Sequence, residues 1–110
     1  MIKRKEFDVE WAQSAHSDLA AIIEYIAVDN VDLALWVLAK LGKRAASLRI
    51  MPKRGRIVSE LAAIGIHGCR EVVHTPWRIV YRIAGRKVRV LAVVDSRRNL
   101  EDLLLQRLLR

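Results

Sequence analysis

The sequence predicts one α+β domain over residues 1–110, with elements in the order β-α-α-β-β-β-α. A helical hairpin packs on a small, mostly antiparallel sheet, and a short C-terminal helix closes the chain. Three observations carry this. The stretch from Arg70 to Asp95 alternates apolar and polar residues as three consecutive strands do, and two stretches before Pro52 carry apolar residues at helical spacing. At 110 residues and 53% hydrophobic, the chain can bury one modest core and is too short for two.

The elements follow in order. Phe7, Val9 and Trp11 alternate with Glu6, Asp8 and Glu10, so Lys5 to Trp11 reads as a first strand. Ser14 or Ser17 caps a helix carrying Leu19, Ile22, Ile23 and Ile26 on one face. Asp29-Asn30 breaks it. A second helix presents Ala34, Val37, Leu38, Leu41, Ala45 and Leu48 on one side and runs to Pro52, which cannot continue the hydrogen-bond ladder. Lys53-Arg54-Gly55-Arg56 is a basic loop, and Glu60 to Gly68 is a connector punctuated by Gly65 and Gly68. Asn99 to Arg110 reads as the last helix, with Asn99 as N-cap and Asp102 three residues on.

Gly85-Arg86 suits a two-residue type II′ hairpin loop, and this fixes a register. Ala84 faces Lys87; Ile83, Tyr81 and Ile79 meet Val88, Val90 and Ala92 on one face; Arg82, Val80 and Arg78 meet Arg89, Leu91 and Val93 on the other. Arg82 and Arg89 are therefore like charges placed opposite each other, a destabilising pair. Either both splay into water near the hairpin tip, or an anionic partner sits between them. Glu71, close to Arg78 or Arg82 on this scheme, reads as half of a structural ion pair.

Twenty Lys and Arg against 12 Asp and Glu give a net charge of +8, which favours acidic partners without separating nucleic acid from an acidic polypeptide. No apolar run approaches a membrane span and no apolar stretch follows the charged N-terminus, so a cytoplasmic protein without a membrane partner is expected. Cys69 is the single cysteine, which excludes an internal disulfide. His67 and Cys69 lie two apart, with His16 and His74 elsewhere. No metal-ligand spacing emerges, and neither a metal nor a cofactor is expected.

Segments along nearly the whole chain resemble the ParE and RelE toxin superfamily of bacterial type II toxin-antitoxin modules. They are Ser17 to Asn30 on the first helix, Met51-Pro52-Lys53-Arg54-Gly55-Arg56 with Glu60-Leu61, Cys69-Arg70-Glu71, Trp77 to Ile83, and Val90 to Leu100. The resemblance implies one of two activities. RelE-type members are ribosome-dependent messenger-RNA endonucleases, whereas ParE-type members lack that chemistry and poison DNA gyrase. A metal-free ribonuclease needs a base, an acid and cations around the phosphate. In RelE-like sequences a tyrosine near the start of the last helix contributes, and here that position falls on Leu103, which cannot transfer a proton. The segment Tyr25-Ile26-Ala27-Val28-Asp29-Asn30 also looks closer to ParE. The resemblance therefore implies a gyrase-directed toxin without catalytic residues. The nuclease alternative would use His74, Arg78 and Arg97, and a third reading is an inactive toxin fold that only binds antitoxin.

Arg78, Arg82, Arg89, Arg97 and Arg98 are the candidate target contacts. Six leucines in the last helix cover more than one stripe, and Trp36 lies with Leu33 and Lys40 off the main apolar face of the second helix. Trp36, Leu33, Leu104 and Leu108 are thus candidates for binding a cognate antitoxin, which the family implies has an acidic C-terminal tail and a DNA-binding N-terminal part.

Overall fold

The computed structural model describes residues 6–97 and 99–108, the side chains of Leu104 and Leu108 excepted. Seven elements follow the expected order and two small ones, β2 and α3, are added to it: β1 (Asp8–Trp11), α1 (Gln13–Ala27), α2 (Val31–Ala46), β2 (Arg56–Ile57), α3 (Ser59–Ala62), β3 (Cys69–His74), β4 (Trp77–Ala84), β5 (Lys87–Asp95) and α4 (Leu100–Leu108). The five strands form one open sheet in the order β1-β5-β4-β3-β2. It is antiparallel throughout except for β1, which runs parallel to β5.

The sheet has a core on each face, because successive side chains point to opposite sides. Tyr81, Ile79, Val88, Val90, Val93 and Val72 meet Ala15 of α1 and Val37, Leu41 and Ala45 of α2 on the first face. Phe7, Val9 and Trp11 join this side, as their alternation predicts. On the second face Val80, Ala92, Val94 and Cys69 pack with Val58, Leu61 and Leu100. Glu60 to Gly68 is therefore not a bare connector: its first turn is α3, whose Leu61 fills the second core.

The Gly85-Arg86 turn forms as expected, with Gly85 at φ 60 and Arg82 directly opposite Arg89. The register then departs from a regular ladder. A bulge between Val80 and Tyr81 sets Val80 against Ala92, Ile79 against Val93 and Arg78 against Val94. One extra residue on β5 turns Val93 to the first core while Ala92 and Val94 fill the second, so both faces stay apolar.

β1 ends opposite Val90, where Ala12 N–H donates to the Val90 carbonyl at 2.9 Å. Beyond that point the outer edge of β5 has no strand beside it. Helix α1 supplies the missing partners: Ser14 Oγ donates to the Leu91 carbonyl at 3.1 Å, and Asp18 Oδ2 accepts from Val93 N–H at 2.9 Å. Neither serine caps α1, since Ala12 is the N-cap without a side-chain bond and Ser17 donates to the Gln13 carbonyl. Both hydroxyls donate to carbonyls instead of accepting from the free N–H groups of the helix start.

Asn30 caps α2, its Oδ1 accepting from Leu33 N–H at 2.9 Å. The helix ends at Ala46, six residues before Pro52, because the chain must turn through Ser47–Arg49 to bring Ile50 beside Glu6 and the Arg49 carbonyl to Phe7 N–H. Leu38 lies off the buried face that Val37 and Leu41 share. Arg56 pairs with Glu71 and Ile57 with Arg70 at β2, the edge strand beyond β3 and one too short to show in the sequence pattern. Helix α4 starts on the second face with Leu100, capped by Asn99 Oδ1 accepting from Asp102 N–H at 3.2 Å. It ends against α1, where Arg107 clasps Asp18.

Candidate functional site

The second face holds a buried ion cluster. The planar guanidinium of Arg78 is gripped by two carboxylates: its Nε and Nη2 donate to Glu71, the latter at 2.7 Å, and its Nη1 and Nη2 donate to Glu60 at 2.6 and 2.9 Å. Arg78 is 8% exposed and Glu71 3%. Arg56 Nε lies 3.4 Å from the same Glu71. The Arg78 hydrogen bonds hold the Glu60 carboxyl far down, to about 2, and the two carboxylates raise Arg78 above its ordinary value. Arg56, Ile57, Ser59, Ser96 and the three ion-pair residues line an open cavity of about 410 Å³.

This geometry decides what the cluster can do. Two carboxylates and two guanidiniums sum to no net charge, so no cation is left over for a phosphate. A carboxyl titrating near 2 is also a weak proton acceptor at neutral pH. Arg78 was grouped with the target-facing arginines on the sequence, and the structure encloses it instead.

The alternative catalytic set is not brought together. His74 faces the helices, its ring centroid 6.1 Å from that of Trp36, whereas Arg78 lies on the opposite face of the sheet. Arg97 sits beyond the end of β5 and donates to Asp95 at 2.6 and 2.9 Å. Arg89 donates to Glu10 at 3.0 Å beside Lys87, so the like-charge pair of Arg82 and Arg89 is relieved from β1; Arg82 is exposed, with no carboxylate partner among the described residues. Arg98 and the side chains of Leu104 and Leu108 lie outside the described residues.

A second groove runs between α1, the far end of β5 and α4. Ile22, Ile26, Trp77, Val93 and Leu103 floor a cavity of about 410 Å³, and the Asp18–Arg107 and Asp95–Arg97 pairs rim it. Asp18 and Glu60 stand in segments that carry the family resemblance, but the sequence assigns neither of them, nor Arg107, a partner or a role. The one signal was the spacing of Ser14 and Asp18, which puts both on one face of α1. The tip of the helical hairpin is apolar and open: Tyr25 and Val28 are each 83% exposed, with Val31, Leu33, Leu35 and Trp36 beside them.

Five strands in this order, a helical hairpin on one face and a short helix wrapping from the other define the toxin fold shared by ParE and RelE. The model of the "ParE toxin of type II toxin-antitoxin system, parDE" family matches residues 9–100, and the chain belongs to that family. Among solved structures, a chromosomal ParDE toxin-antitoxin system from P. aeruginosa superposes with a TM-score of 0.67 at 19% identity, covering 83% of this chain and 97% of that one. The RelBE2 toxin-antitoxin complex of Mycobacterium tuberculosis gives 0.61 at 22% identity, covering 84% and 94%. No curated protein sequence matches the chain. It is a ParE-type toxin of a type II toxin-antitoxin system. No helix among the described residues is long and apolar enough to cross a membrane.

Proposed function

We propose that this toxin inhibits DNA gyrase by binding it, with no catalysis of its own. The observation that carries this reading is the closed Glu60–Arg78–Glu71 cluster, in which the one buried arginine of the sheet is saturated by carboxylates. Leu103, aliphatic where the nuclease branch has a tyrosine, supports the same conclusion. Arg82, Arg89 and Arg97 are the target-facing cations among the described residues, and Arg98 extends the set. Exposed ion pairs such as Arg97–Asp95 are worth little in water and exchange readily for a partner's carboxylate or phosphate.

A cognate antitoxin neutralises the toxin on this reading. Its acidic C-terminal tail folds over the open apolar surface that includes Leu33 and Trp36, with Leu104 and Leu108 of α4 completing the contact, while its N-terminal part binds DNA. The charge of +8 favours such a tail.

The test compares supercoiling by purified gyrase with translation in a cell extract, each with the purified toxin added. Inhibition of supercoiling and accumulation of cleaved DNA, with translation intact, is the expected result. Arrested translation with cut messages would establish the ribosome-directed endonuclease instead, and His74→Ala should then abolish it. No effect in either assay, with antitoxin still bound, would mean an inactive fold that serves as a binding module.

A further inference from the structure

Most cations among the described residues fall into two groups, with Arg82 and Arg86 by the β4–β5 hairpin outside both. Arg49, Arg56, Arg78, Lys87, Arg89, Arg97 and Arg107 each have a carboxylate within 4 Å. Along the flank where α2 meets β3 the pattern reverses. Lys40, Lys43, Arg44, Lys53, Arg54 and Arg70 have no carboxylate partner among the described residues, and all but the half-buried Arg70 are exposed.

These six are held as one surface. Ser47 Oγ donates to the Arg44 carbonyl at 2.6 Å and accepts from Arg54, tying the 52–55 segment to the end of α2. Arg70 of β3 donates to the Lys53 and Gly55 carbonyls at 3.1 and 2.8 Å, fixing the same segment from the other side. Arg44, Arg54 and Arg70 all act on the buried Tyr81 hydroxyl, whose shift upward by burial they oppose. At the other end of the flank, Trp36 is 52% exposed, leans on His74, and carries the Lys40 ammonium 5.3 Å from its ring centroid. From Trp36 to Arg44 is eight residues of helix, about 12 Å. The nearest acid on this face of α2 is Asp32, one turn before Trp36. Glu71 of β3 points to the opposite face, into its cluster with Arg78.

We propose that this flank binds single-stranded nucleic acid, with a base stacked on Trp36 and the backbone phosphates tracking along Lys40, Lys43, Arg44 and Arg54. An acidic peptide needs only the cations. The indole at the end of the basic track adds a stacking platform, which an unpaired base uses and a duplex does not. Lys40 covers the indole in the free protein, and its flexible, exposed chain swings to a phosphate when a base takes its place. This inference is independent of gyrase inhibition, because it concerns a surface apart from Arg82, Arg89 and Arg97 and has its own readout; Trp36 is shared with the proposed antitoxin contact, so nucleic acid and antitoxin compete there.

Fluorescence anisotropy of labelled dT and rU 12-mers with the purified chain, from 50 to 200 mM KCl, tests it. Binding should weaken with salt at a slope of about −0.7 per phosphate contacted. Trp36→Ala should weaken it about tenfold while Trp36→Phe retains most of it. Lys40→Ala and Arg44→Ala should each reduce the slope by about 0.7. Arg49→Ala, the same loss of charge outside the track, should leave affinity nearly unchanged. Absence of binding at 50 mM KCl would overturn the proposal, as would an affinity unchanged by Trp36→Ala in a folded variant. Polyglutamate competing as well as poly(dT) would do the same and assign the flank to an acidic polypeptide.

Discussion

Replacing the buried Arg78 with alanine is expected to cost more stability than replacing any exposed arginine of the sheet, and to reverse the pH dependence of folding. In the folded protein the guanidinium faces Glu71, 3% exposed, and Glu60, whose side chain is 35% exposed. Removing one partner of a buried ion pair costs about 3–5 kcal/mol, mostly because a charge stays behind without compensation. For a domain of this size that lowers Tm by more than about 12 °C. The sign of the pH effect follows from linkage. In the wild type Glu60 titrates near 2, against an ordinary value of 4.5, so its contribution is fully present above 4.5 and is lost as pH falls through 2. Fully shielded, that shift would amount to about 3 kcal/mol; with a third of the side chain in solvent, about 1–2 kcal/mol is expected. In Arg78→Ala the two carboxyl groups keep only the exposed Arg56 beside Glu71, so the folded state takes up a proton more readily than the unfolded chain. The variant should therefore gain stability from pH 7 to pH 5, where the wild type is flat. Urea unfolding followed by circular dichroism at both pH values measures this. A loss below about 1 kcal/mol at pH 7, or a variant with the wild-type pH dependence, would refute the account of the cluster as a closed ion pair.

Three further outcomes follow from the packing. Gly55→Ala should destabilise by about 2 kcal/mol, because a Cβ there meets the Tyr81 hydroxyl and lies 2.8 Å from the Glu71 carbonyl oxygen; in a Tyr81→Phe background the same change should cost less, measured as a double-mutant cycle. Asp18→Ala removes the acceptor of Val93 N–H and the partner of Arg107 together, and should cost about 2–3 kcal/mol and expose α4 to limited proteolysis ahead of global unfolding. Asn30→Ala should cost about 1 kcal/mol in thermal unfolding, the ordinary worth of a lost N-cap.

The elements were legible where one residue type carries one meaning. Gly85 with φ 60 set the hairpin, Asn30 and Asn99 capped the helices expected of them, and the alternation of Phe7, Val9 and Trp11 chose the face of β1. The bulge at Leu91 was not legible, since Leu91-Ala92-Val93-Val94 is apolar throughout and every register through it looks equally good. Ends set by tertiary contacts were also hidden: α2 stops at Ala46 because of a bridge between Ile50 and Glu6, forty-odd residues apart. The ion cluster was half visible. Glu71 sits across from β4 and could be paired with Arg78 from the register, whereas Glu60 reaches Arg78 only because α3 lies under the second face. The sequence pattern also drew attention to the sheet arginines, although Arg78, Arg89 and Arg97 are spent on carboxylates and, Arg82 apart, the larger group of unpaired cations lies along the flank where α2 meets β3.

The bare outer edge of β5 bears on self-association. β5 is the longest strand, and Val90-Leu91-Ala92-Val93-Val94 is an uncharged, β-prone run of the kind that recruits copies of itself when its hydrogen-bonding edge is open. Ser14 and Asp18 occupy that edge with side chains rather than another strand, and α4 crosses beside it through the Arg107 clasp. Aggregation through this strand is thus conditional on α1 letting go, and the docked helix serves as the gatekeeper for a segment that has no charge of its own.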